Sequence, residues 1–145
     1  MNPQEVSGFL ATQRVLTCAS NGRHGWPHLM PLWYVLRERE IWAWTYAKSQ
    51  KVRNLERDPR TTLQVEDGER YDELRGVMIE ATTNIHRDLD TVAHVGAELL
   101  ERYGSAQAGS ELGDAVRAQA AKRVALQFVP QRSASWDHRK LGGVY

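Results

Sequence analysis

The sequence predicts a mainly β (α+β) fold: one domain in which six strands form a barrel with helices at its periphery. Three observations lead there. Six runs carry the period-2 alternation or the β-branched and aromatic enrichment of strands. Short polar turns separate most of them, and few stretches read as helices. Such an order favours an antiparallel sheet curling into a barrel over a parallel sheet. At 145 residues the chain has the length of one ordinary domain, and 41% hydrophobic residues are enough for a core.

In chain order, "NPQEVSGFLATQ" is a short helix, with Asn2 as cap and Pro3 at the first helical position. "RVLTCAS" is the first strand, ended by "NGRHG", whose Asn-Gly pair signals a hairpin. The second strand starts near Trp26 and runs through "HLMPLWYVL". Pro27 and Pro31 mark it as an edge or a bulge, because proline cannot donate to a ladder. After the polar turn "RERE", "IWAWTY" completes a meander and places Trp42, Trp44 and Tyr46 on one face. A helix from Gln50 to Asp58 follows, capped by Ser49 and stopped by Pro59. "TTLQVED" and "RGVMIEATTNIH" are two further strands around the charged turn "DGERYDEL". "RDLDTVAHVGAELLERYG" is an amphipathic helix with Val92, Val95, Leu99 and Leu100 inward and Gly104 as its stop. Ser105 to Gly113 reads as a loop, "ELGDAVRAQAAKR" as a weak helix, and "VALQFVP" as the sixth strand, ending at Pro130. Residues 131–145 read as an extended tail.

Composition narrows the function classes. A net charge of +1 is too balanced for a general nucleic-acid binder. No apolar run reaches membrane-spanning length and no signal-type start is visible, so a cytoplasmic protein with no membrane partner is expected. The lone Cys18 excludes an internal disulfide and any CxxC pattern. The positive charge is local. In "WTYAKSQKVRNLERDPR", Lys48, Lys51, Arg53, Arg57 and Arg60 face only Glu56 and Asp58, a net +3.

That charge falls at the start of a helix, where unpaired amides and the dipole already favour an anion. Cations there are unfavourable for the helix itself, so their presence implies an external anion. The Ser49 hydroxyl, the amides of Gln50 and Lys51, and the ammonium groups of Lys48 and Lys51 form the candidate phosphate site. The aromatic strand just upstream would flank the flat group that carries the phosphate.

Other constellations are weaker. Gly25 and Pro27 exclude the helix that would aim His24 and His28 at one metal, and the acids beside His86 and His94 are ordinary helix-start residues. No metal is expected. Ser135, Asp137 and His138 are too close in sequence to form a hydrolase triad, and no G-x-S-x-G is present. Cys18 has no cationic sequence neighbour that would activate it. Stacking of single-stranded nucleic acid on Trp33, Trp42 and Trp44 would need positive charge along a groove rather than at one helix start.

On the stretch from "RVLTCASNGRHG" to "TTLQVED", the sequence resembles, over about residues 6 to 85, the split β-barrel flavin and deazaflavin proteins, the superfamily of pyridoxamine 5′-phosphate oxidase. The strongest motif runs from Ser49 through Lys51, Arg53, Asn54 and Leu55 to Asp58-Pro59, similar to the family's S-x-K-x-x-N-L-x-x-x-P. The tail "SWDHRKLGG" is similar to the ending of the branch that uses the deazaflavin coenzyme F420. The resemblance implies a split barrel, a homodimer with cofactor sites between subunits, and F420, or alternatively FMN, as cofactor. It places Pro31, Leu32 and Trp33 beside the tricyclic ring, Trp44 and Thr45 at the ring or its chain, and Ser49, Gln50 and Lys51 at the phosphate. Gln50 stands where FMN oxidases often have arginine, with Lys48 as the compensating charge.

Trp136 lies in a polar tail, poor material for burial in its own domain. It is expected to pack on the partner subunit near the cofactor, with His138, Arg139 and Lys140 meeting the anionic tail of F420. The chain lacks an ending that resembles the substrate-binding extension of true pyridoxamine phosphate oxidases, which argues against a vitamin B6 substrate. The implied activity is hydride transfer to an unsaturated small organic substrate, with Tyr34, His28 or His138 as proton donor. The alternatives are an FMN-dependent oxidoreductase and a cofactor carrier without catalysis.

Overall fold

The second predicted strand is in fact two. The computed structural model describes residues 1–104 and 110–142. The elements are α1 (Pro3–Thr12), β1 (Leu16–Asn21), β2 (Pro27–Leu32), β3 (Val35–Arg37), β4 (Glu40–Tyr46), α2 (Gln50–Arg57), β5 (Arg60–Asp67), β6 (Arg75–His86), α3 (Leu89–Arg102), α4 (Ser110–Ala120) and β7 (Arg123–Asp137). Short 3₁₀ turns cover Tyr71–Glu73 and His138–Leu141. The strands form one seven-stranded sheet in the order β2-β1-β5-β6-β7-β4-β3, with every neighbouring pair antiparallel.

The expectation of six strands therefore fails at Trp33 and Tyr34. The amide of Tyr34 donates to the Tyr103 hydroxyl at 3.0 Å, and that hydroxyl also lies 3.0 Å from the Tyr34 carbonyl. The side chain of Tyr103, the residue that caps the C-terminus of α3, stands where a strand partner would be needed, and the strand breaks there. The break shapes the sheet. Its two edges, β2 and β3, are joined by two residues only, so the sheet must curl until the edges approach at that end. It remains unclosed: β2 and β3 do not pair with each other.

The end of the chain also departs from expectation. β7 passes through Pro130 and continues to Asp137, pairing with β6 from Ala125↔His86 to Asp137↔Arg75. The boundary at Pro130 is thus a correction: residues 131–137 are strand, not free tail. Pro130 pairs with Ala81 and Arg132 with Glu80, so the register shifts there and Gln131 is the extra residue of a bulge directly after the proline. Residues 143–145 of the expected tail, and 105–109 of the expected loop, lie outside the described residues. Ser110–Gly113, also read as loop, begin α4.

Alternation sorts the strand side chains into two cores. Leu16, Leu63, Val65, Val77, Leu126 and Phe128 belong to the interior cluster, which Phe9 and Leu10 of α1 join. On the other side, Val92, Val95 and Leu99 of α3 pack with Val116 of α4 and Ala125, flanked by Trp42 and Trp44. The α1 N-terminus carries the expected Asn2 cap as a capping box with Glu5. At its other end, Arg102 donates to the carbonyls of Leu10 and Gln13.

Candidate functional site

Helix α2 lies across β1: Asn54 donates to the Ser20 hydroxyl at 3.1 Å and Arg57 to the Asn21 carbonyl at 3.2 Å. Its buried residues are Lys51, Val52, Asn54 and Leu55, the spacing of one helical face. That face carries a lysine inward. Lys51 is only 7% exposed, and its ammonium donates to the Thr45 hydroxyl of β4 at 3.0 Å. Among the described residues it has no carboxylate partner, and Cys18 is the titratable side chain that acts on it. Burial pushes its pKa below the usual lysine value.

One residue before α2, Ser49 occupies the N-cap position but makes no capping bond with its side chain. Its hydroxyl oxygen is buried and unpartnered. A buried cation held by one neutral acceptor and an orphaned hydroxyl thus share the end of the helix where amides are free. An anion satisfies all three. The residues present fit a phosphate group.

The other predicted site residues are distributed unevenly. Lys48 and Gln50 are exposed beside the site, and Gln50 donates to Asn54 at 2.9 Å. Trp44 follows the alternation of β4 onto the face opposite Thr45, where its ring lies against Gly96 of α3 and under Arg123 at 4.7 Å. Pro31 and Leu32 pair with Thr17 and Leu16. Leu16 stands four residues from Ser20, about 13 Å along an extended strand. Trp33, 53% exposed, stacks on Tyr103 with centroids 4.4 Å apart. Trp136 sits across β6 against Gly76. The structure joins Lys51 to Thr45 beside the turn that carries Ser49, and among the described residues it does not bring the rings of Trp33, Trp44 or Trp136 to them.

The family model described as pyridoxamine 5′-phosphate oxidase matches residues 3–137. The chain belongs to the pyridoxamine 5′-phosphate oxidase family. Its fold is the family's split barrel. No curated protein matches the sequence significantly. Among solved structures, the chain is similar to the conserved hypothetical protein Rv2991 of Mycobacterium tuberculosis, with a TM-score of 0.92 and 41% identity over 100% of this chain and 90% of that one. An F420 reductase gives a TM-score of 0.73 at 19% identity, covering 91% of this chain and 98% of that one. The heme storage protein HutZ of Vibrio cholerae gives 0.71 at 18%, covering 93% of both chains. The last two show likeness of fold alone.

In this member of the pyridoxamine 5′-phosphate oxidase family, the surroundings of Lys51 include residues that sequence reasoning passed over. Cys18 and Ser20 of β1 and Thr61 of β5 line the inner side of the site, with Cys18 Sγ 3.5 Å from the Thr61 hydroxyl. The available signal was alternation: Cys18 and Ser20 share a face with Leu16, and a polar residue on a buried face needs a partner above it. Asn54, fully buried, is that partner. Of the three proton-donor candidates, Tyr34 is committed to the Leu10 carbonyl at 2.6 Å, and burial pushes its hydroxyl up to about 12. His138 bonds the Tyr71 carbonyl, at the end of β6 and β7 remote from Lys51. His28, opposite Ser20, keeps a buried Nδ1 without partner. Among the described residues no group of His, Cys, Asp and Glu could hold a metal, and no helix is long and apolar enough to cross a membrane.

Proposed function

We propose that the protein is an oxidoreductase that binds F420 and serves hydride transfer to an unsaturated small organic substrate. The observation that carries this reading is Lys51: a buried ammonium with a single neutral acceptor, beside the orphaned hydroxyl of Ser49, in a chain of this family. Ser49, Lys51 and the first amides of α2 would hold the phosphate, with Lys48 and Gln50 at its rim. Pro31, Leu32, Trp33, Trp44 and Thr45 would flank the remaining cofactor through ring or backbone. The cofactor supplies the redox chemistry, and the chain supplies orientation and shielding from water. His28 is the candidate proton donor.

The site would be completed by a second copy of the chain. Along the edge strand β2 and just beyond its ends, Trp26 (80% exposed), Leu29 (56%) and Trp33 (53%) leave apolar side chains in solvent, the kind of surface that a partner covers. Trp136 stands at the Asp67 end of β5, and Thr61 at the other. Those six residues span about 20 Å of extended strand, a separation that favours the other subunit's cofactor as the one Trp136 would cover.

FMN is the second reading, favoured by one observation. The cations expected to meet the anionic tail of F420 are engaged within the chain, Arg139 with Asp137 at 2.6 Å and Lys140 with Glu5 at 2.7 Å. Equilibrium titration of the protein with F420, FMN and riboflavin decides between them. Tighter binding of F420 than FMN supports the proposal, and the reverse moves the function to FMN. Equal affinity for FMN and riboflavin would remove the phosphate site.

A further inference from the structure

Lys51 is held in a way that ties ligand binding to protonation. Its ammonium has the Thr45 hydroxyl as acceptor and no carboxylate among the described residues. The groups packed around it scarcely support a charge. From β1, Cys18 is buried, which pushes its thiol up and favours the neutral form, and it is the one titratable side chain that supports the Lys51 ammonium. Thr45 from β4 and Thr61 from β5 carry no charge. On α2 itself, Arg53 is exposed, and Arg57 is turned to Asn21 and Asn54. Lys48, in the preceding turn, is exposed as well. At the far end of the helix, Asp58 is held by Arg60 and Asn21. A buried ammonium so placed is easier to deprotonate than one in water, and an arriving anion restores its preference for the proton.

We propose that anion binding at α2 takes up a proton at Lys51, so that the empty site sheds charge at alkaline pH and regains it only with a phosphate-bearing ligand. This rests on the phosphate site proposed above. Burial, which lowers the pKa of Lys51 in the free protein, fixes the direction. A group whose pKa is lower free than bound contributes full affinity below its free value, and loses it as pH rises toward its bound value. Affinity for a phosphate ligand falls as pH rises. Thr45 is the acceptor that holds Lys51 while the site is empty.

The test is titration of the full chain with FMN and with F420 from about pH 7.5 to about pH 10, on wild type and Lys51→Arg. Arginine stays charged throughout, so the variant isolates the lysine proton; titration of the ligand itself is common to both proteins and cancels. The wild-type dissociation constant should rise more steeply than the variant's, by up to about tenfold per pH unit. Should arginine fail to fit, calorimetry of the wild type in two buffers of different ionisation enthalpy counts the protons taken up, with riboflavin as the control lacking phosphate. Binding with parallel slopes, or with no proton uptake beyond that of riboflavin, overturns the linkage and leaves the phosphate site standing. Failure of both ligands to bind overturns the site itself.

Discussion

Gly96 of α3 lies directly against the indole of Trp44: a Cβ at that position would stand 2.3 Å from Cζ3 and 2.7 Å from Cη2 of the ring. This contact decides the sign of a mutation. Alanine in a helix is favoured over glycine by about 1 kcal/mol when nothing opposes it. Gly96→Ala should instead lower stability by about 1–3 kcal/mol, because the ring is fixed between α3 and Arg123 and cannot yield. Gly8→Ala in α1, where nothing lies within 4 Å, should raise it. Thermal denaturation of the two variants must move in opposite directions.

At the candidate site, stability and binding should separate. Lys51→Met removes a buried charge that has only a neutral partner, so the free protein should melt at or above the wild-type temperature. Ligand affinity should fall by about 1.5–3 kcal/mol, the scale of a charge-assisted hydrogen bond. Ser49→Ala gives the sharper contrast. Loss of a working cap costs about 1 kcal/mol of stability. Ser49 makes no capping bond, so its removal should leave the melting temperature near wild type and still weaken phosphate binding. A variant that melts early but binds normally would make Ser49 a cap.

What the sequence disclosed of this fold follows from which interactions are local. The Asn2 cap of α1, the bounds of α2 and β6, and the inward set Val92, Val95 and Leu99 depend on nearby residues, and the structure agrees with them. The break at Trp33–Tyr34 depends on Tyr103, about seventy residues away, and no local signal marks it. The continuation of β7 depends on a bulge just after Pro130 that only pairing with β6 reveals. At the site, Ser49 and Lys51 were legible because the motif is contiguous. Ser20 and Thr61 were not, because they come from other strands. Trp44 was assigned to the right strand, but its ring belongs to the face that α3 covers.

Tyr103→Phe should show what the break needs. The hydroxyl accepts from the Tyr34 amide, and its one proton faces the Arg14 carbonyl at 2.6 Å and the Tyr34 carbonyl at 3.0 Å. Without it the Tyr34 amide keeps no partner, a loss of about 1–3 kcal/mol. The stacked pair with Trp33 survives, so tryptophan fluorescence should change little while the denaturation midpoint falls.

Acid should probe the turn after β7. Hydrogen bonding from Arg139 draws the Asp137 carboxyl down from its ordinary 3.8 to about 2. A folded-state value below the unfolded one contributes stability that is complete above the unfolded value and lost as pH falls toward the folded one. Stability should therefore fall between about pH 4 and pH 2, and Asp137→Asn should flatten that part of the profile. Denaturant titrations of both proteins across this window measure the difference. Equal slopes would mean that the pair persists in the unfolded chain or does not form.

Truncation separates strand from tail. Chains ending at Pro130 and at Lys140 differ by the second half of β7, which pairs Arg75 to Glu80 of β6 with Arg132 to Asp137. In the shorter chain that half of β6 becomes an edge on one side, Trp136 no longer covers Gly76, and the Met1 ammonium loses Ser135. It should unfold at markedly lower denaturant or fail to fold, since both backbone pairing and buried aromatic surface are removed. The longer chain keeps all of these and should match wild type in stability. In that chain Trp136→Ala, a change that leaves the ladder intact, tests by sedimentation and cofactor titration whether the ring acts on a partner subunit. If that variant stays folded but loses its dimer and its cofactor together, the ring serves the neighbouring subunit. If it keeps both, Trp136 acts on its own sheet alone.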